Sequence, residues 1–167
     1  MENKITITRE WAMPNKRTFE IPPIRMLIDK HIPIWGFYPN QVLDPFPFDY
    51  KEDATKFLSR IKDESYEFVL FDPPYSPRQL KECYDNKGEY DTKSSTWSKW
   101  KDLVSKKLKV GGIIISFGWS SQGMGKERGF EIIEILLVAH GGMHNDTICV
   151  VEEKIQSKFS SLNNESR

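Results

Sequence analysis

The sequence lacks several features that would assign it directly to a class of protein. Only two of its 167 residues are cysteines, Cys83 and Cys149, and their spacing matches no metal-binding pattern and requires no disulfide. No apolar run approaches the roughly 18 residues that span a bilayer, and the first residues lead into no signal-peptide core. We therefore expect a soluble, cytoplasmic protein that has neither a membrane nor a metal partner.

An excess of positive charge is also missing. The 24 lysines and arginines are balanced by 24 aspartates and glutamates, so no overall positive field attracts nucleic acid. Any contact with DNA must be local or be completed by a partner subunit. The length predicts a single domain over residues 1–154, and residues 155–167, which are rich in Ser, Asn, Lys and Glu, predict a disordered tail.

One stretch organises the chain. Phe68–Phe71 is apolar and typical of a buried strand, and Asp72-Pro73-Pro74-Tyr75 follows it directly. Two prolines in succession end a strand sharply because proline cannot donate to a sheet ladder. The turn therefore places a carboxylate, a carbonyl and an aromatic ring at the carboxyl end of a strand, where open α/β sheets bind their ligands.

This trio suits methyl transfer to a nucleobase amine. The exocyclic amine is a poor nucleophile, and hydrogen bonds from its protons to the Asp72 carboxylate and the Pro73 carbonyl would shift electron density towards the nitrogen. Tyr75 would stack on the base, which must leave the duplex to react. The alternative is an ordinary strand exit with a capping aspartate, and we favour the catalytic interpretation.

The motif also resembles a known family. Phe71-Asp72-Pro73-Pro74-Tyr75 is similar to the catalytic motif of the S-adenosylmethionine-dependent DNA amino-methyltransferases in their adenine-N6 form. Further stretches resemble a phage and bacterial branch of that family: Arg9–Asn15, Leu70–Cys83, Glu134–Val138 and Glu152–Lys154. The resemblance implies a Rossmann-like class I methyltransferase sheet, mostly parallel with an antiparallel end. It also implies S-adenosyl-L-methionine as cofactor, DNA as partner, and Asp72, Pro73, Pro74 and Tyr75 as catalytic residues.

The expected cofactor side is short. A predicted strand ends in Asp44-Pro45-Phe46, and the resemblance implies that these residues and Asp53 bind the cofactor. Asp53 is equally well placed to cap a helix that begins at Ala54, and both roles stay open. Only 20 residues separate Phe46 from Glu67, whereas a strand, helix and strand need roughly 30 or more. We therefore predict a single crossover, adjacent strands and a sheet truncated on the cofactor side.

A long polar stretch follows the motif. The residues from Arg78 to Ser95 are rich in lysine and tyrosine, as expected of a segment that contacts phosphates and stacks on bases. We predict that Ser76, Arg78 and Tyr84 bind substrate. A solvated loop without a ligand is the alternative.

The rest of the chain predicts ordinary elements. Residues Met1–Glu20 show no clear period and suggest an extended arm. Gly111-Gly112 should end a tryptophan-bearing helix, and two strands near Phe130–Val138 and Thr147–Val151 should form an antiparallel pair. His140 and His144 lie four residues apart, but they have no third ligand nearby and do not indicate a metal site.

Two functions from different classes remain. The first is methyl transfer to the N6 amine of adenine in DNA, with cytosine-N4 and RNA as open variants. The second is a catalytically inactive homologue that acts as a DNA-binding or partner-binding subunit. A further variant has the chain pair with itself, or with a fuller methyltransferase subunit, so that the cofactor site is completed.

Overall fold

A computed structural model describes residues 4–48, 52–75 and 94–156. These residues form six strands, namely β1 (Thr6–Trp11), β2 (Val42–Leu43), β3 (Tyr66–Phe71), β4 (Leu108–Gly118), β5 (Phe130–Ala139) and β6 (Thr147–Lys154). Within the same ranges there are three α-helices, namely α1 (Pro22–His31), α2 (Ala54–Arg60) and α3 (Ser94–Lys107). None of these helices is long and apolar enough to cross a membrane.

The six strands form one mixed sheet in the order β1-β5-β6-β4-β3-β2. Three neighbouring pairs are parallel, β1 with β5, β2 with β3, and β3 with β4, whereas β6 runs antiparallel to both β4 and β5. This confirms the α/β class, the mostly parallel sheet and the antiparallel pair. The prediction that the strand ending near Phe46 lies beside the motif strand is also confirmed, because Val42 pairs with Phe68.

The amino-terminal segment differs from the prediction. Instead of an arm, residues Thr6–Trp11 form edge strand β1, which pairs with β5, and the antiparallel strand β6 lies in the interior of the sheet between β4 and β5. Every residue of β1 is exposed. A strand without a buried face shows no apolar alternation, and the sequence therefore gave no period to recognise.

The helix expected to run to Gly111-Gly112 ends four residues earlier. Leu108 belongs to β4, where it pairs with Tyr66 of β3. At Gly112 a Cβ atom would lie 2.9 Å from the Glu67 carbonyl oxygen. This glycine therefore permits close approach of two strands and does not stop a helix.

The sheet carries an apolar layer on each face. Alternation along β3 assigns Leu70 to the layer that α1 covers, and assigns Val69 and Phe71 to the layer that α2 and α3 cover. All three residues are at most 1% exposed. The carboxyl-terminal end of β3 is therefore packed on both faces, and the residues that follow it start from a fixed position.

Candidate active site

The carboxyl end of β3 holds the Asp72 carboxylate in place. Asp72 is half-buried, and the hydroxyl groups of Thr18 and Tyr75 lie close enough to it to lower its pKa. Burial raises the pKa of Asp72 from 3.8 to about 6, and the two hydroxyl groups hold it lower than burial alone would. At neutral pH the side chain is therefore mainly an ionised acceptor that a ligand can use.

A second carboxyl group comes from the neighbouring strand. Asp44 follows β2 directly, and its carboxylate accepts the backbone N–H of Phe46 at 3.0 Å. Burial raises the pKa of Asp44 to about 7, the Phe46 N–H lowers it, and the charge of Asp72 raises it further. Both carboxyl groups therefore bind a proton more readily than a solvent-exposed aspartate does.

Tyr75 folds back over the sheet. Its ring stacks on Trp119, with ring centroids 5.6 Å apart and an angle of 28° between the planes, and it meets Trp97 edge-on at 4.9 Å. A Cβ atom on Gly118 would lie only 2.6 Å from Cε1 of Tyr75. The tyrosine can adopt this position only because residue 118 has no side chain.

The environment of Tyr75 keeps its hydroxyl group neutral. Burial raises the pKa of Tyr75 well above 10, and the charge of Asp72 raises it further. The phenol is therefore a hydrogen-bond donor over the whole physiological range. Burial also raises the pKa of the Cys149 thiol, with a contribution from Asp72, so this cysteine is a packing residue and not a nucleophile.

The loop after Trp119 is anchored by charged side chains. Glu152, which is fully buried, accepts the backbone N–H of Met124 at 2.6 Å and that of Gly125 at 3.2 Å. The Lys101 ammonium donates to the Gly123 carbonyl at 2.5 Å. These contacts tie the loop to β6 and α3.

The predicted cofactor residues have different environments. The structure brings Asp44 to Asp72, but the ring of Phe46 is 6% exposed and packs between Phe71 and Trp100 at centroid distances of 5.5 and 4.9 Å. The Asp53 carboxylate accepts the Lys56 N–H at 2.8 Å, which confirms the capping role. Pro45 is buried beside Phe46. Cofactor binding by all four residues stays a prediction.

Some predicted residues lie outside the described part of the chain. Ser76, Arg78 and Tyr84 fall within residues 76–93, and their substrate-binding role stays a prediction. Among the residues that the structure describes, no group of three or more His, Cys, Asp or Glu side chains is placed to hold a metal ion. His140 contacts the Ala12 carbonyl at 2.9 Å and the Thr147 hydroxyl at 2.8 Å.

Three site residues were missed. Thr18, Gly118 and Trp119 all contact the motif, but Thr18 lies in a segment without a pattern and gave no signal. Gly118-Trp119 could have been found, because it follows a buried strand parallel to β3, and parallel strands end at the same edge of a sheet.

A groove of about 550 Å³ lies at the amino-terminal ends of the strands, opposite the end that carries the motif. It is lined by residues at or before the amino ends of the strands, among them Gln41, Tyr66 and Lys109. It is therefore separate from the carboxyl-edge site that Asp44, Asp72, Tyr75 and Trp119 form.

The chain matches no protein-family model, and a search of curated proteins finds no match either. Any assignment of function therefore depends on the motif and on the geometry of the site.

Proposed function

We propose that this protein transfers a methyl group from S-adenosyl-L-methionine to the exocyclic N6 amine of adenine in DNA. The observation that carries the proposal is the placement of Asp72 and Tyr75. An ionisable acceptor and an aromatic ring stand together where a buried parallel strand is ended by two prolines. An amine needs an acceptor to become nucleophilic, and a base needs a flat surface to be held.

The sheet supports the same proposal. Strands β2, β3 and β4 are parallel neighbours, as expected for a Rossmann-like class I methyltransferase sheet in which the first strand lies beside the catalytic strand. Strand β2 has only two residues and is the last strand on its side among the described residues. This agrees with a sheet that is truncated on the cofactor side.

The carboxyl pair fits a cationic cofactor. When bound, S-adenosyl-L-methionine supplies an electrophilic methyl group on a positively charged sulfur. A cation beside Asp44 and Asp72 would favour their ionised forms and offset the burial that raises both pKa values. In this proposal, Asp44 holds the cofactor on the β2 side.

The chemistry assigned to the chain is positioning and proton acceptance. Asp72 accepts one amine proton in a hydrogen bond and the Pro73 carbonyl accepts the other, while Tyr75 keeps the base in line. The cofactor would supply the methyl group: a bond from the amine nitrogen to the methyl carbon would replace the carbon–sulfur bond, S-adenosylhomocysteine would leave, and the nitrogen would carry the positive charge. The Asp72 carboxylate then takes the surplus proton and releases it to solvent.

The test is transfer of labelled methyl to unmethylated DNA of mixed sequence, followed by nucleoside analysis. We expect N6-methyladenine from the wild type and a loss of at least about 100-fold in rate for Asp72→Asn, which keeps the shape but cannot accept the proton. Asp29→Asn is the matched control, since Asp29 lies on the exposed side of α1 in an ion pair with Arg25. Equal rates for Asp72→Asn and the wild type would contradict the proposal, and N4-methylcytosine or methylated RNA would change the substrate.

A second candidate function is an inactive homologue that binds DNA or a partner, including a fuller methyltransferase subunit or a second copy. It is favoured by the two-residue strand β2 and by the burial of Phe46, which leaves little of the predicted cofactor wall accessible. Calorimetry with S-adenosyl-L-methionine separates the two. Micromolar binding by the isolated chain supports the enzyme, and no binding by a folded chain supports the inactive homologue.

A further inference from the structure

Trp119 is an exposed indole beside the candidate catalytic carboxylate. It follows β4 directly, is 50% exposed, and one face of its ring is covered by Tyr75. A large aromatic side chain that is open to solvent at the edge of a ligand site has a surface on which a planar ligand can stack.

Among the aromatic residues around Tyr75, Trp119 is the one with the more exposed side chain. The tyrosine ring lies against the backbone of Gly118 and meets the edge of Trp97, which is half-buried. Gly118 and Trp97 thus restrict the ring on two sides. Trp119, which stacks on the same ring, is exposed to solvent.

Tyr75 lies in surroundings that would also suit a 6-aminopurine. Its ring is stacked on an indole, and its hydroxyl group is close enough to Asp72 to lower the pKa of that carboxylate. Adenine likewise combines a planar ring with a hydrogen-bond donor, its amine, in the ring plane.

We propose that Trp119 is a base-binding residue, onto whose face an extruded purine stacks while the amine of that purine binds Asp72. The inference rests on the proposed function, since it specifies how that site holds its base. Under this inference, the residue after β4 supplies a stacking surface, and the turn after β3 supplies the hydrogen-bond acceptor Asp72 and the aromatic ring of Tyr75.

The loop contacts make this surface a stable one. Trp119 is followed by the loop that Glu152 holds through two backbone N–H groups and that Lys101 holds through a carbonyl. A stacking residue on an anchored loop loses less conformational entropy when it binds than one on a mobile loop.

The experiment measures base binding without methyl transfer. The probe is a single-stranded oligonucleotide of mixed sequence with 2-aminopurine at its centre, a base whose fluorescence falls when it stacks on an aromatic ring. We expect quenching by the wild type and a Kd about tenfold or more higher for Trp119→Ala, as base stacking on an aromatic side chain commonly contributes. Trp119→Phe keeps a stacking face and should stay within about threefold of the wild type.

The matched control is Trp11→Ala. Trp11 is also an exposed indole, at 64%, but it lies on edge strand β1, three strands away from β4 in the sheet. This variant should bind the probe as the wild type does. Thermal unfolding of each variant checks that the fold is intact.

The outcomes separate the inference from the proposed function. Probe binding that depends on Trp119 without any methyl transfer would support the inference and refute the enzyme. Methyl transfer with an unchanged KM for DNA and unchanged probe binding in Trp119→Ala would overturn the inference and leave the enzyme standing. Where transfer is present, we expect Trp119→Ala to raise KM more than it lowers kcat, because stacking is made before and during the reaction. A wild type that fails to quench the probe would also overturn the inference.

Discussion

Replacing Asp44 by asparagine should stabilise the protein above neutral pH. The asparagine side chain has nearly the same shape, and its carbonyl oxygen can still accept the Phe46 N–H that Asp44 accepts at 3.0 Å. The substitution removes an ionised group from a site where burial and the charge of Asp72 oppose ionisation. The protein therefore keeps its contact and loses an unfavourable charge.

The magnitude follows from the pKa of Asp44. Burial raises it from 3.8 to about 7, and each pKa unit corresponds to about 1.4 kcal/mol, which sets an upper bound of about 4 kcal/mol at pH 8. Because the side chain is half-buried and solvent screens part of the charge, we expect on the order of 2 kcal/mol. The native pKa is the higher one, so this carboxyl group binds a proton more readily in the folded state. Its contribution to stability is complete below about pH 4 and is lost as the pH rises through about 7.

The measurement is urea unfolding of wild type and Asp44→Asn at several pH values from 4 to 8. The difference in free energy of unfolding should be near zero at pH 4 and grow to its full value by pH 8, where it corresponds to a rise in Tm of about 4 to 8 °C. Asp53→Asn is the control, because its side chain caps α2 at the surface and asparagine caps equally well. A destabilised Asp44→Asn at pH 8, or a difference that does not vary with pH, would refute the reasoning.

Three further variants test the surroundings of the site. Gly118→Ala should displace the Tyr75 ring, because the new Cβ atom would lie 2.6 Å from Cε1 of Tyr75. We expect a changed near-UV circular dichroism spectrum and a loss of about 1–3 kcal/mol in the free energy of unfolding. An unchanged spectrum would contradict the packing of Tyr75 against Gly118. Tyr75→Phe removes a hydroxyl group that lowers the pKa of Asp72. The acidic limb of the pH profile of kcat/KM should therefore move to higher pH from about pH 6. An acidic limb at the same pH as in the wild type would show that the hydroxyl group has no effect on Asp72. Glu152→Gln replaces one acceptor oxygen by an NH2 donor that faces a backbone N–H. The free energy of unfolding should fall by about 1–3 kcal/mol, and the amide of Met124 should exchange its hydrogen faster. Exchange at the wild-type rate would contradict the role of Glu152 in anchoring the loop.

The sequence predicted the parts of the fold that leave a pattern. The motif strand, the helix capped by Asp53 and the antiparallel pair were found because each combines apolar periodicity with turn or capping residues. Strand β1 was missed because both of its faces are exposed. The helix stop at Gly111-Gly112 was wrong because two glycines can equally permit a close approach of strands, and only the tertiary structure decides between these uses.

In the candidate site, too, the features set by local sequence could be predicted and the contacts between distant residues could not. The motif predicted where Asp72 and Tyr75 would lie, because a local sequence determines how a strand ends. It could not predict that the Tyr75 ring turns back onto Gly118 and Trp119, since that contact joins residues more than forty positions apart. Phe46 was predicted as a cofactor wall from resemblance alone, and its actual packing between Phe71 and Trp100 depends on a helix distant in sequence.

The energetics of the carboxyl pair are compatible with the ligands that we propose for this site. Glu152 is buried too, but two backbone N–H groups satisfy its carboxylate, and its role in holding a loop is sufficient to explain it. Asp44 and Asp72 have a different balance, because burial raises both pKa values and the charge of Asp72 raises that of Asp44 further. Folding gains less from these two carboxylates than it would from asparagines of the same shape. A cation, an amine donor or both, bound at the carboxyl ends of β2 and β3, would turn that cost into binding energy.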